Sequence, residues 1–417
     1  MATIDRSSDP TLFTPGPLTT SLSVKQAMLH DAGSWHHDFN AKTAQIREAL
    51  LRHAGVSREE GYECVPMQGS GTFGVESVFQ TCVPDDAKVL VLANGAYGER
   101  MALMLKHARM DHEILRCGED GVHDAAQVSS LLASDPKIAV VSLVHCETTT
   151  GILNPLQPIG RAIRQHGRLF FVDAMSSFGA IPIDMKGLNI DLMVSSANKC
   201  FEGVPGFSFI IGRREALLAN EHATRSLSLD LAGQLRCLEK TGRFRYSPPT
   251  HSILAFERAL EELEREGGIE ARGRRYEENH KTILRGMSGL GFRSYLPPQL
   301  QSFVITSFHY PGDPKFDFET FYQALSDRAK IIYPGKISQV DLFRIGSIGR
   351  IFPSDCEALV DTIGRVIVEL NQEKISSPAE IAAKIEEARE AGRRSILLLV
   401  DQDGDLRFVA LRIEKED

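Results

Sequence analysis

Short, almost wholly apolar runs recur along this chain, separated by stretches in which apolar and polar residues mix. Lys88–Ala93, Ile138–Val144, Leu169–Val172, Leu192–Ser195 and Phe207–Ile211 have the length of strands and lack a polar face, as strands covered on both sides do. Thr72–Cys82 and Pro158–His166 read as helices connecting them. Alternation of this kind predicts an α/β fold whose sheet is mostly parallel and flanked by helices.

Beyond the last of these strands the period changes. Ser252–Glu266 sets Ile253, Phe256, Leu260 and Leu263 on one helical stripe, and Gly267-Gly268 stops it. This helix predicts a passage from an N-terminal segment and large domain over residues 1–255 into a smaller α+β domain over 256–372. Strands are expected there at Phe303–Phe308 and Phe343–Ile345. A third piece spans 373–417. Ser377-Pro378-Ala379-Glu380 is a capping box with proline at the first helical position. Ile381, Ile385 and Ala388 make the apolar side of that helix, and Gly392 ends it. Ser395–Val400 and Leu406–Ile413 then predict a hairpin around Asp403-Gly404. The run Ala388–Val400 resembles the closing part of the PDZ modules of secreted serine proteases, with no protease motif beside it.

Composition narrows the function classes. A chain of 417 residues, 42% hydrophobic and 24% charged, is long enough for two or three ordinary globular domains. Its net charge of -8 argues against a nucleic-acid surface while leaving room for a local anion pocket. Seven cysteines with no C-x-x-C pair suit reduced, separately buried thiols. Met1–Pro10 lacks the apolar core of a secretory signal, and no stretch approaches the ~20 apolar residues of a membrane span. The expectation is a cytoplasmic protein with neither nucleic-acid nor membrane partners.

The chemistry-bearing residues follow the strands. Asp173 closes Leu169–Val172, and Lys199 follows Leu192–Asn198. Taken alone they are most simply a strand-end acid and a surface lysine. Buried together, an aspartate needs a cationic partner and a lysine has its pKa lowered. Pyridoxal 5'-phosphate satisfies both, since a lysine forms its Schiff base and an acid pairs with its pyridinium nitrogen. Gly69-Ser70-Gly71-Thr72-Phe73-Gly74 satisfies G-x-G-x-x-G, but Lys88–Ala93 ends in Asn94 rather than the acid a dinucleotide site requires. Ser70, Gly71 and Thr72 read better as the start of a helix whose free N–H groups bind a phosphate monoester; a simple glycine turn capped by Thr72 is the plainer alternative. Tyr97 follows a strand and is placed to lie on a planar ring or merely to pack. His145-Cys146-Glu147-Thr148-Thr149-Thr150-Gly151 offers hydroxyls to a phenolic oxygen or forms a polar loop.

Several runs together resemble the 2-aminoethylphosphonate–pyruvate transaminase family, a class-V branch of the fold-type I pyridoxal-phosphate enzymes related to alanine–glyoxylate transaminases. They are Leu12–Thr20, Gln68–Thr72, Arg225–Leu231, Ser247–His251 and Phe343–Gly346, and the likeness extends from about Leu12 to Asn371. The opening run and Ser226–Leu231 are the specific ones. The resemblance implies a seven-stranded-type sheet, a homodimer, pyridoxal 5'-phosphate, and the small-molecule substrates 2-aminoethylphosphonate and pyruvate. It makes Lys199 the catalytic lysine and Asp173 the pyridinium partner, with Ser70, Gly71, Thr72 and Asn198 at the phosphate. Tyr97 would lie on the ring, Thr148 would meet the phenolic oxygen, and Thr250 would come from the other subunit. Arg344 would bind the substrate anion. Ser347 and Arg350 stand where an asparagine and an acid are expected, and His36-His37 where acids follow Trp35. These departures place titratable or positive groups near the expected substrate region, which bears on the choice of substrate. An alanine–glyoxylate or serine–pyruvate transaminase is the nearest alternative. A cysteine desulfurase would need a reactive loop thiol, for which only Cys356 is placed, and a packed cysteine is the commoner reading there.

Overall fold

The computed structural model describes residues 9–312, 316–335, 340–370, 386, 395–402 and 405–412. Seven strands form its central sheet: β1 (Tyr62–Gln68), β2 (Lys88–Ala93), β3 (His112–Arg116), β4 (Ile138–Val144), β5 (Leu169–Asp173), β6 (Leu192–Ser196) and β7 (Phe207–Arg213). Their order across the sheet is β1-β7-β6-β5-β4-β2-β3. Neighbours are parallel except that β7 runs antiparallel to both β6 and β1. The expected mostly parallel α/β sheet is the one found.

Both faces of this sheet are apolar. Leu90, Leu92, Val141, Leu143, Phe170 and Val172 join one core cluster, and Val89, Val91, Val140, Phe171 and Val194 join another. Successive side chains point to opposite faces, so the central strands show no polar alternation. Helix α1 (His37–His53) contributes Phe39, Ile46, Leu50 and Leu51 to the first layer. Helices α2 (Gly71–Cys82) and α3 (Ala96–His107) contribute Val75, Val78, Met101 and Leu105 to the second.

Strands β1 and β3 escaped the apolar pattern. Both lie at sheet edges. An edge tolerates Pro66 inside β1, because only one side of the strand must supply the hydrogen-bond ladder. On the other edge, β3 is half exposed and reads His-Glu-Ile-Leu-Arg.

Helix α4 (Thr250–Glu266) carries the anticipated stripe, with Ile253, Phe256, Leu260 and Leu263 buried. Gly267 ends it at φ 105°, a left-handed value open to glycine, and α5 (Gly268–Gly289) starts at once. The chain then builds a three-stranded antiparallel sheet from β8 (Ile305–His309), β9 (Tyr333–Pro334) and β10 (Leu342–Gly346), in the order β8-β10-β9. The expected strand over Phe303–Phe308 begins later, at Ile305, because Ser302 N–H is spent on Gly151 O at 2.8 Å. Phe308, Phe321, Phe343, Ile345 and Ile363 form a separate core with Ile283 and Met287 of α5. Near the C-terminus, Ser395–Gln402 and Asp405–Arg412 pair antiparallel with Gln402 opposite Asp405, as the hairpin expectation requires. The helix expected from Ser377 to Gly392 lies outside the described residues apart from Glu386.

The segment before α1 does not stay with the sheet. Thr11 and Leu12 pair in parallel with Lys330 and Ile331, Gly346 N–H donates to Phe13 O at 2.9 Å, and the fully buried Phe13 enters the core of β8–β10. Phe13→Ala is therefore expected to lower stability by about 3–5 kcal/mol, the usual loss for a buried phenylalanine. Chemical denaturation of the two proteins side by side measures it.

Candidate active site

Strand β2 leads outward to β3, whereas β4 leads through β5 to β6 on the other side. The order thus reverses between β2 and β4, where the loops at the carboxyl ends part and leave a crevice. A cavity of about 170 Å³ opens there, lined among others by Ser70, Gly71, Thr72, Tyr97, Asp173, Asn198 and Lys199. Seven residues singled out from sequence thus meet in one place. They come from the start of α2, the start of α3, the end of β5 and the loop after β6.

At the mouth of α2, Ser70 is the N-cap residue but makes no side-chain cap bond. The positive end of the helix therefore faces the cavity, a ready place for an anion. Asp173 is 6% exposed, and one of its oxygens accepts Met175 N–H at 2.8 Å. Burial pushes its pKa up to about 6, against the pull of that N–H and of Lys199 and Arg100. Burial likewise lowers the pKa of Lys199, while Asp173 opposes the shift. Lys199 faces the cavity and is only half-buried at its surface, yet it sits deep in protein, which is why desolvation dominates. Each member of the pair is thus drawn toward its neutral form until a compensating charge enters the cavity.

Gly16, at φ 117°, lies against this lysine. A Cβ there would run into Lys199 Cδ, so glycine is required by both backbone and space. The opening segment therefore forms a wall of the site, a contact that apolar periodicity cannot reveal.

Arg344 projects from β10 beside the cavity. Its Nη1 donates to Thr148 O at 2.7 Å and its Nε to Pro334 O at 2.9 Å. Both bonds go to neutral carbonyls, and burial lowers its pKa. Thr148 is itself buried and lies outside the cavity lining, and its carbonyl is what orients Arg344. Next to it, buried Glu147 accepts the N–H groups of Tyr97 and Gly98 at 3.1 and 3.4 Å and the Thr149 hydroxyl at 2.6 Å. Glu147 thereby caps α3 and fixes where Tyr97 begins. Sequence reasoning passed over Glu147, because it caps α3 from about 50 residues away and no local cap signal marks it. Arg100 was also missed, though it lies three residues after Tyr97 on the same helix face.

The loop carrying Lys199 is held from behind. Glu202 N–H donates to Lys199 O at 2.8 Å and Gly203 N–H to Ala197 O at 2.9 Å, with Glu202 itself at φ 62°. The buried Glu202 carboxylate accepts Arg275 Nη2 at 2.7 Å and Tyr276 OH at 2.6 Å, both from α5. Arg272 Nη1 donates to Cys200 O at 3.0 Å. Arg275 Nη1 reaches on to Gly349 O and Ile351 O at 2.7 and 2.9 Å. Although burial alone would raise it, the pKa of Glu202 is held down to about 2 by Arg272 and Arg275.

Other expected residues are placed elsewhere. Thr250 opens α4 and does not line the cavity of its own chain. His36 and His37 are exposed beside Asp38 and line no part of the Lys199 cavity; His36 borders a separate cleft against α4. Their expected nearness to the substrate region does not hold within the chain, because they open α1 rather than a strand-end loop. Arg350 lays its guanidinium over Phe352, 5.3 Å from the ring centroid, and Ser347 is fully buried. Cys356 is packed in the core of β8–β10 with its thiol pushed up to about 12, which leaves the desulfurase alternative without a nucleophile at this position. Of the seven free cysteines, Cys117 and Cys237 are half-exposed rather than buried. No helix among the described residues is long and apolar enough to cross a membrane.

Known proteins give this arrangement a family. Residues 24–332 match the aminotransferase class-V family. The 2-aminoethylphosphonate–pyruvate transaminase of Syntrophobacter fumaroxidans is 50% identical over 350 residues, 84% of this chain and 94% of that one. The enzyme of the same name from Pseudomonas putida strain W619 is 46% identical over 364 residues, 87% of this chain and 98% of that one. In three dimensions the chain is similar to ureidoglycine–glyoxylate aminotransferase from Bacillus subtilis, with a TM-score of 0.80 at 20% identity, covering 92% of this chain and 99% of that one. The chain belongs to the class-V aminotransferases, whose fold is the fold-type I architecture and whose members generally depend on pyridoxal 5'-phosphate.

A measurable consequence follows from Asp173. Its folded pKa lies about two units above the unfolded value, so the folded state holds a proton that the unfolded state releases. Stability of ligand-free protein should then fall as pH rises from about 4 through about 6, by about 3 kcal/mol in total. Asp173→Asn is expected to remove that fall and to be the more stable protein above pH 6. Melting curves of both proteins across this range, without ligand, test it; a steeper fall in the variant contradicts it.

Proposed function

We propose that this enzyme binds pyridoxal 5'-phosphate in the Lys199 cavity and transfers the amino group of 2-aminoethylphosphonate to pyruvate, giving phosphonoacetaldehyde and L-alanine in phosphonate metabolism. The observation that carries the reading is the convergence, in one cavity, of a buried acid, a buried amine and an uncapped helix start. The donor set fits the group. Asp173 suits a protonated ring nitrogen, because a cation there restores the charge that burial works against. The N–H groups of Ser70, Gly71 and Thr72 suit a phosphate at the start of α2, with Asn198 beside them. Tyr97, fixed by Glu147, supplies a ring face, and Thr148, which lies outside the cavity lining, would act through Arg344, which its carbonyl orients.

When bound, pyridoxal 5'-phosphate supplies a ring that accepts electrons from the carbon losing its proton. The chain supplies the rest. Lys199, whose pKa burial lowers, would accept a proton from the substrate carbon and hand it on, a role typically worth about 10²–10⁴-fold. Asp173 would hold the ring nitrogen and, once paired with it, would be ionised and favour its protonated form. Arg344, turned by Thr148 and Pro334 and lacking a carboxylate partner among the described residues, binds the phosphonate of one substrate and the carboxylate of the other. A guanidinium fork suits both anions.

Large apolar side chains stand exposed at Leu29, Trp35 and Leu227, which supports association of two copies into a homodimer. Thr250 of one copy would then reach the cofactor phosphate of the other. Seven free cysteines support a reducing, cytoplasmic setting.

Lys199→Ala is expected to abolish turnover while the protein stays folded; substantial remaining transamination removes this reading. For substrate choice, 2-aminoethylphosphonate, alanine and serine are compared as donors, each against pyruvate and glyoxylate. The expected preference is 2-aminoethylphosphonate with pyruvate, and Arg344→Ala should lower kcat/KM for both by about 10- to 150-fold, the worth of a charge-assisted hydrogen bond. A preference for alanine or serine with glyoxylate reassigns the chain to the neighbouring transaminases.

A further inference from the structure

Arg100 is an arginine facing the cavity without the partner that its neighbours have. It lies on α3 one turn beyond Tyr97 and lines the same cavity as Lys199. Its guanidinium carbon stands 4.7 Å from the centroid of the Tyr97 ring, and its Nη1 lies 3.3 Å from Thr72 Oγ1. Arg47, Arg213 and Arg275 meet carboxylates, Arg47 with Glu63, Arg213 with Asp191, and Arg275 with Glu202 and Glu266, whereas Arg344 bonds only to carbonyls. The acid next to Arg100 in sequence, Glu99, is taken by both arms of Arg116 at 2.6 and 3.0 Å. Among the described residues no carboxylate lies within ion-pair distance of Arg100. Asp173 feels its charge, yet only as a minor influence at longer range.

Two positive features therefore face one another across the wall of the cavity. One is the start of α2, where Ser70 provides no side-chain cap and Gly71 and Thr72 begin the helix. The other is the guanidinium, three residues along from the aromatic ring that it touches. The Thr72 hydroxyl is a neutral acceptor for one arm of the guanidinium, and donors on both sides with no anionic acceptor among the described residues form an arrangement that a multiply charged oxyanion completes. A carboxylate would offset one charge, whereas a phosphate monoester at neutral pH carries close to two and has enough oxygens for the helix and the fork together.

We propose that Arg100 is a further ligand of the cofactor phosphate, closing the phosphate subsite opposite the start of α2. This rests on the reading of the cavity as a pyridoxal-phosphate site. Because the same guanidinium lies over Tyr97, it also couples the position of the phosphate to that of the aromatic ring beside it. Loss of the arginine therefore loosens the phosphate first and the ring contact second.

The test separates those two contacts. Dissociation constants are measured for pyridoxal 5'-phosphate and for pyridoxal, which lacks the phosphate, on the full-length protein and on Arg100→Gln. Arg100→Gln is expected to bind pyridoxal 5'-phosphate about 10- to 150-fold more weakly, the range for one charge-assisted hydrogen-bonding partner, and to bind pyridoxal within about 3-fold of the parent. Inorganic phosphate should compete with pyridoxal 5'-phosphate less well in the variant than in the parent. Arg100→Lys keeps the charge without the fork and should fall between the two, so the assignment stays testable even where the glutamine variant folds poorly. Equal losses for both ligands overturn the proposal, because the arginine then acts only through Tyr97. Unchanged binding of both overturns it as well. A parent protein that binds neither ligand overturns instead the assignment of the cavity to pyridoxal 5'-phosphate.

Discussion

The buried ion pair between Glu202 and Arg275, with Tyr276 and Arg272 around it, is the constraint on which the geometry of the site depends. Taking a carboxylate and guanidinium groups out of water costs several kcal/mol per ion, and only close, fully hydrogen-bonded pairing offsets it. Here Arg275 and Tyr276 bond one carboxylate oxygen and Arg272 stands 3.8 Å from the other, and the two guanidinium groups hold Glu202 down to about 2 despite complete burial. The return is positional. Glu202 is three residues from Lys199 and bonds to its carbonyl, so fixing the carboxylate fixes the loop. Through Arg275 the same network touches Gly349 and Ile351, beyond β10 and Arg344. The Lys199 loop and the segment beyond Arg344 are thereby tied to one helix, α5.

The second requirement is electrostatic incompleteness. A protein that satisfied Asp173 and Lys199 internally would place them in contact as an ordinary ion pair, and neither would be shifted toward neutrality. Instead each is desolvated, and both line the cavity together with the helix start at Gly71. The surrounding sheet makes this stable. Two apolar layers on either side of β2, β4, β5 and β6 hold their ends rigidly enough for a pair of unsatisfied groups to persist.

How much of this was legible in the sequence depends on which physical signal each part carries. Central strands announce themselves because both faces are apolar, so β2, β4, β5, β6 and β7 were readable. Edge strands do not, and β1, with Pro66 in its middle, and the half-exposed β3 were silent. That Lys199, Asp173 and the Ser70–Thr72 turn share one cavity was readable, because the strand ends of a parallel sheet lie together. The supporting residues were not. Glu147, Glu202 and Arg275 act through contacts made across long sequence separations, and a buried acid looks in sequence like any surface acid. His36-His37 shows the converse error: an unusual pair drew attention through its departure from a family pattern, and the structure sets it at a helix start facing solvent.

The pairing of Thr11–Leu12 with Lys330–Ile331 bears on how the polypeptide is made. As the chain leaves the ribosome, the sheet and the Lys199 loop are all synthesised long before residue 330 exists. Until then Phe13 has no core to enter and Gly16 no fixed path past the lysine. The wall of the cavity nearest Lys199 thus closes only after the three-stranded sheet has folded, a late step of high sequence separation and therefore slow loop closure. Before that, Asp173 and the start of α2 are in place but Lys199 is unwalled. Completion of the enzyme is in this sense a late event of its synthesis, set by the arrival of the segment around residue 330.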